Sequence, residues 1–465
     1  MAGSPPSSGA TPPTRGAEPH PVGEPRRPWG CLGCLGVLLL ALVIGGGLAA
    51  WDRLRGPSEI SDSSVEFSDR EAPTPAAGPK VPRHREDSYD DGADWPFYGG
   101  NEQRTRYLPF PKGVRIRTPF RTRWREGGRI LLEFPPVLCG RRLYLLRDDG
   151  LLLAIERRTG KVAWARRVGR LAAASPACGK SRVFVTVLKR DRGSSAGQVA
   201  AFTTDGKRLW RVLLRGRSES SPLLAGDKLI FGTESGDVLA MSPRNGRVLW
   251  RYHAGGKVKG GVARNGPTVF AGDYSGQLHA IALRSGRRRW KRDLGGSLYS
   301  TPAVAYGRVF VGNIDGSISA VGERTGRIAW RRRASGYVYS SPAVAPVAGR
   351  GPTVFVGSYG GKLYALDARS GRPRWIRDVG GKLSGGVTVV GDLVMYANLG
   401  RKRTAIRRAR DGAEVFSLHS GAFDPGISDG RRLYLLSYSS IYHLSPRAQA
   451  FADARSLRAA RRRGR

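Results

Sequence analysis

The chain has 465 residues and a formal net charge of +41, with 78 Lys and Arg against 37 Asp and Glu. That length allows one large domain plus tails, and the charge favours anionic partners (nucleic acid, anionic polymer or membrane surface) without choosing among them. The four cysteines stand at 31, 34, 139 and 178, and Cys31-x-x-Cys34 has no second pair, which argues against a zinc site.

Residues 1–30 are rich in Pro, Ser, Gly and Ala and are expected to be a disordered tail. From Cys31 to Trp51 there is no charged residue. About 20 apolar residues span a bilayer as a helix, so residues 31–51 are expected to be a transmembrane signal anchor. The alternative is a cleaved signal peptide with its site at Gly47-Leu48-Ala49. The anchor would leave the N-terminus cytoplasmic and carry the C-terminal part of the chain across the membrane. Residues 52–94 carry Pro73, Pro75, Pro79 and Pro82 and the acids Glu86, Asp87, Asp90 and Asp91. They are expected to be a flexible, loosely extended linker.

Residues 95–446 are expected to form the folded part. A pattern recurs through them: a small residue, a hydrophobe, a polar run, a glycine, a cation and an aromatic. Ala365 to Trp375 is the fullest copy. The aromatics are Trp124, Trp164, Trp210, Trp250, Trp290, Trp330, Trp375 and Phe416, spaced by 40, 46, 40, 40, 40, 45 and 41 residues. A period near 40 marks one supersecondary unit repeated. Each unit reads as four short strands joined by Gly-bearing turns, as in Ser341–Ala345, Thr353–Gly357, Lys362–Asp367 and Pro373–Ile376. The pattern predicts an all-β ring, an eight-bladed β-propeller, which solves the edge-strand problem by radial repetition. The last half-repeat, residues 425–444, lacks its aromatic, and Trp124 lacks preceding strands. The N-terminal strands near Trp95 and Trp124 are therefore expected to complete that last blade. Cys139 and Cys178 open successive repeats. Two separate buried thiols are expected there, with a disulfide in an oxidising compartment as the alternative. Residues 447–465 end in a run of arginines and are expected to be a frayed basic tail.

The run small-x-Asp-x-x-Ser/Thr-Gly-Arg/Lys-x-x-Trp resembles the tryptophan-docking motif of propellers built from pyrroloquinoline-quinone (PQQ)-like repeats, and Trp95-Pro96-x-Tyr98-Gly99-Gly100-Asn101 resembles that family's opening sequence. The resemblance implies that the eight aromatics are structural, each docking one blade on the next. It offers two functions: quinoprotein dehydrogenases with PQQ and calcium in the central funnel, or non-catalytic scaffolds of the BamB type. The repeats are near minimal length, no two cysteines are adjacent, and Asp227, Asp273, Asp315 and Asp367 fall at turns that explain them without a metal. The expectation is therefore no catalytic residue, no cofactor and no metal site. The chain reads as a membrane-anchored, extracytoplasmic scaffold for envelope proteins, with a PQQ- and calcium-dependent oxidoreductase as the alternative. A further alternative rests on Lys161, Lys207, Arg247, Arg287, Arg327 and Arg372, each next to the motif glycine on its C-terminal side. Ring symmetry would make them a positive belt contacting anionic envelope polymer or lipid; otherwise the belt is simply solvated. Nucleic acid is the lesser expectation across a membrane.

Overall fold

The computed structural model describes residues 58–69, 92–179, 181–191, 193 and 196–447. The expected tail 1–30, the expected transmembrane helix 31–51 and the expected tail from 448 onward lie outside the described residues. Every regular element among the described residues is a strand.

The strands form eight sheets in a ring. Blade 1 consists of Val137–Cys139, Arg142–Leu146, Leu151–Glu156 and Val162–Arg167. Blade 2 runs from Ala177–Cys178 to Arg208–Leu213, and blade 3 from Leu223–Ala225 to Val248–His253. Blade 4 runs from Ala263–Asn265 to Arg288–Asp293, and blade 5 from Ala303–Ala305 to Ile328–Arg333. Blade 6 runs from Ala343–Val347 to Pro373–Asp378, and blade 7 from Thr388–Val390 to Glu414–Leu418. Blade 8 takes three strands from the C-terminal end, Gly426–Ser428, Leu433–Leu436 and Ser440–Pro446, and its outer strand Phe120–Gly127 from the N-terminal side. The ring is thus closed by strands from both ends of the domain. The strand at Trp124 completes blade 8, but Trp95 does not join it. Trp95 instead bridges Leu138 on the inner edge of blade 1, because residues 92–108 turn into the central channel.

The motif has a direct packing cause. In the third-to-fourth-strand hairpin the motif alanine lies opposite the tryptophan, as in Ala320 against Trp330 and Ala365 against Trp375. A small side chain there leaves space for the indole, and the register shifts at the next residue in both blades. The indole then reaches the neighbouring blade. Trp124, Trp164, Trp210, Trp250, Trp290, Trp330 and Trp375 each donate Nε1–H to a backbone carbonyl there, at 2.8–3.1 Å. Each also lies over the motif glycine of that blade. A Cβ on Gly371, which has φ +69°, would stand 2.6 Å from the Trp330 ring. Phe416 has no such donor; it meets Phe120 of blade 8 edge-on, with centroids 5.1 Å apart.

Two features correct the sequence-based expectation. Cys139 and Cys178 are not separate thiols: they form a disulfide joining blades 1 and 2, with Cα atoms 6.3 Å apart. Both sit on innermost strands, where blades converge and neighbouring chains come close. And residues 58–69, expected within the flexible linker, lie along blade 5, where Ile60–Ser61 adds a fifth strand. Val65 is buried and Phe67 stacks on Tyr306, with centroids 5.6 Å apart. The Glu66 carboxylate accepts hydrogen bonds from the backbone of Arg324 and Thr325 and from the Thr325 hydroxyl. Burial raises the Glu66 pKa, but these hydrogen bonds outweigh it and the net shift is downward.

Candidate functional site: the central channel and its mouth

Innermost strands leave a channel on the ring axis, and residues 93–108 fill it. Ala93 N–H donates to Asp429 in blade 8, and Trp95 exchanges two backbone hydrogen bonds with Leu138 in blade 1. Cys178 of blade 2 donates to Pro96. The carbonyls of Glu102, Gln103, Thr105 and Arg106 accept from Arg264, Val304, Val344 and Val389, which belong to blades 4, 5, 6 and 7. Contact with the strand opening blade 3 comes from a side chain, Arg104, whose guanidinium donates to the carbonyls of Ser221 and Pro222 and, from Nε, to Val262. One segment therefore touches all eight blades in turn.

Arg104 and Arg106 are 1% and 2% exposed and both have positive φ, +58° and +52°. Single residues in this region carry strain that surrounding contacts must hold. For Arg104 those contacts are backbone carbonyls. Arg106 lies 3.9 Å over the Tyr98 ring and 3.5 Å from the Asp424 carboxylate. Burial pushes Asp424 up to about 6 despite Arg106, and Tyr98 up to about 12.

Above this plug, loops from successive blades repeat one bond. Ser221, Thr301, Ser341 and Asp424 each accept a hydrogen bond from the backbone N–H of the equivalent position one blade earlier, at 2.8–3.0 Å. Around them sits a cluster of perturbed groups. Lys259 bridges Glu219 and Glu234, at 2.7 and 3.2 Å. Burial, with the charges of Asp148 and Glu219, pushes Glu133 up to about 8, and burial pushes Asp148 up to about 7. Five tyrosines from blades 4 to 6 and their connecting loops form a contiguous ribbon at the mouth: Tyr274, Tyr299, Tyr339, Tyr337 and Tyr359, with touching rings 5.1–6.3 Å apart between centroids.

The partly open space between this mouth and Tyr98 is about 30 Å³. That accommodates water, whereas pockets for small organic ligands run to about 300–1,000 Å³. Its lining carries the carboxylates Glu133, Glu219 and Asp424, the ligand type calcium takes, but among the described residues no group of three or more His, Cys, Asp or Glu could hold a metal. The residues present do not fit a tricyclic quinone with a calcium ion. The buried His279 bonds Asp273 and Tyr252 between blades 3 and 4, away from the channel.

The six belt cations are all exposed, each at the turn into an outer strand of blades 1 to 6; Arg327 pairs with Asp62 at 2.9 Å. A separate cleft of about 470 Å³ between blades 1 and 2 gathers Arg166, Arg167, Arg170, Arg208 and Arg211. The channel residues Arg104 and Arg106 escape a motif search, since neither lies in a repeat. The tyrosines leave a faint signal, because Tyr299 and Tyr339 stand one repeat apart.

A ring of eight blades, each built on four antiparallel strands and seven of them docked on the next by tryptophan over glycine, defines the PQQ-type propeller class. The family model described as outer membrane protein assembly factor BamB matches residues 120–257 and 249–453, and the chain belongs to that family. Among curated proteins it is 28% identical over 144 residues to the quinoprotein glucose dehydrogenase of Escherichia coli K12, covering 28% of this chain and 16% of that protein. It is 29% identical over 117 residues to outer membrane protein assembly factor BamB of Burkholderia pseudomallei, covering 25% and 28%. The matched regions thus span less than a third of either relative. Solved structures share the fold: BamB from Moraxella catarrhalis has TM-score 0.58 at 17% identity, covering 71% of this chain and 98% of that one. Quinohemoprotein alcohol dehydrogenase from Comamonas testosteroni has TM-score 0.59 at 14% identity, covering 76% and 80%.

Proposed function

We propose that this protein is a membrane-anchored, extracytoplasmic, non-catalytic propeller that serves as a protein-interaction scaffold in the cell envelope. The filled channel is the observation that carries the reading. Relatives of this fold include enzymes named as quinoproteins and a protein named as an assembly factor, so the fold alone does not choose between them. Here residues 93–108 occupy the axis, and the space above them has room for water rather than a cofactor. What remains available for recognition is the outside of the disc and the tyrosine-lined mouth. The Cys139–Cys178 disulfide supports an oxidising, extracytoplasmic compartment, in keeping with residues 31–51 as anchor.

The test is affinity capture by the full chain from detergent-solubilised envelope, eluted with a salt gradient. A discrete protein that resists high salt is expected. Elution of anionic polymer or lipid alone, at moderate salt, would overturn the protein-scaffold reading in favour of the basic belt, since exposed charge contacts are screened by salt.

A further inference from the structure

We infer that the mouth side of blades 5 to 7 seats on the anionic headgroups of the bilayer, with the chain's N-terminal strap fixing that edge toward the membrane. This rests on residues 31–51 acting as the anchor.

The strap sets the direction. Ile60 pairs with Arg331 and Ser61 with Trp330, antiparallel, so the chain enters at the Arg333 end of the outer strand and leaves at the other. The Glu59 carboxylate accepts from the Arg333 backbone N–H at 3.3 Å. At the far end Phe67 and Asp69 are clamped by Tyr306 and Arg369. Seven peptide steps separate Trp51 from Ser58. Fully extended, seven such steps span at most about 25 Å, so an anchor ending at Trp51 would hold the Arg333 corner of blade 5 within about that distance of the membrane surface. Blade 1 lies four blades away, on the opposite side of the ring.

The surface at that corner has interfacial chemistry. Just past Arg333 stands Tyr337, 53% exposed and the most exposed ring of the tyrosine ribbon. Tyr359 adjoins it, and the Lys382 ammonium lies 5.4 Å from the Tyr359 ring. The Lys382 carbonyl accepts from Leu399 N–H, which holds the loop carrying exposed Arg401 and Lys402 alongside. Tyrosine rings favour the headgroup level, and each Lys or Arg near an anionic surface adds attraction within a Debye length. Charge and aromatics therefore converge where the tether brings lipid.

The experiment reconstitutes the full chain in phosphatidylcholine vesicles with and without phosphatidylglycerol, carrying the photo-cross-linker p-benzoylphenylalanine at position 337 or, as control, at the exposed Val162 of blade 1. Lipid adducts are read by mass spectrometry after flotation. Several-fold more adduct at 337 than at 162 is expected. That excess should fall without phosphatidylglycerol and in a Lys382→Gln/Arg401→Gln/Lys402→Gln variant, and should vanish in Val65→Asp, which releases the strap. Equal adducts at both positions in chain that floats with the vesicles would overturn the inference while leaving the anchor intact. Failure to float would sink the anchor and this inference with it.

Discussion

Single side chains carry the ring's cohesion. Trp330 is fully buried and donates to Ala368 at 3.0 Å. Trp330→Ala should cost about 3–5 kcal/mol, read as a lowered denaturation midpoint; an unchanged melt would contradict its docking role. Gly371→Ala tests the other half of the contact, since the new Cβ meets the indole in a left-handed backbone. Overpacking of this kind costs about 1–3 kcal/mol, with backbone strain in addition. Titration adds a pH signature. Glu133 titrates near 8 when folded and near the ordinary value of about 4.3 when unfolded. The folded state therefore holds the extra proton, and its stability falls as pH rises from about 4.3 to 8. Glu133→Gln should remove that fall: gain in stability at pH 8 and little change at pH 4. Equal effects at both pH values would contradict it. His443 works in the opposite sense. Burial lowers it to about 3, so the stability held by its neutral form is lost as pH falls from about 6.5 toward 3.

Strands and segments differ in how far they could be read from sequence. The repeated unit was legible because blades 1 to 6 share the same three things: an alanine opposite the tryptophan, a glycine beneath the preceding blade's tryptophan, and a turn between. Six copies amplify a signal that one copy would not carry. The plug was not legible. Buried arginines that donate to backbone carbonyls look in sequence like ordinary surface cations. Nor was the strap, whose two-residue strand and single buried valine have no periodicity to detect. The disulfide depended on which strand edges converge at the axis, which spacing alone leaves open. Cys139→Ser should destabilise by about 3–4 kcal/mol, the chain-entropy value for closing a loop of this length (separation 39). A melt that dithiothreitol does not lower in the wild type would contradict the cross-link.

At the scale of the propeller, the N-terminal side of the domain supplies both the strand that completes blade 8 and the segment that fills the axis. Phe120–Gly127 completes blade 8, residues 93–108 occupy the axis, and residues 58–69 bind the rim. The filled axis separates this chain's proposed role from that of relatives named as quinoproteins. The six belt cations contribute no comparable geometry, being spread singly around the disc. The most direct measurement is a calorimetric titration of the full chain with PQQ in the presence of calcium. No binding is predicted, because the channel above Tyr98 is too small for the quinone. Stoichiometric binding, with quinone-dependent oxidation of an alcohol or aldose, would contradict the scaffold reading and make the protein an enzyme.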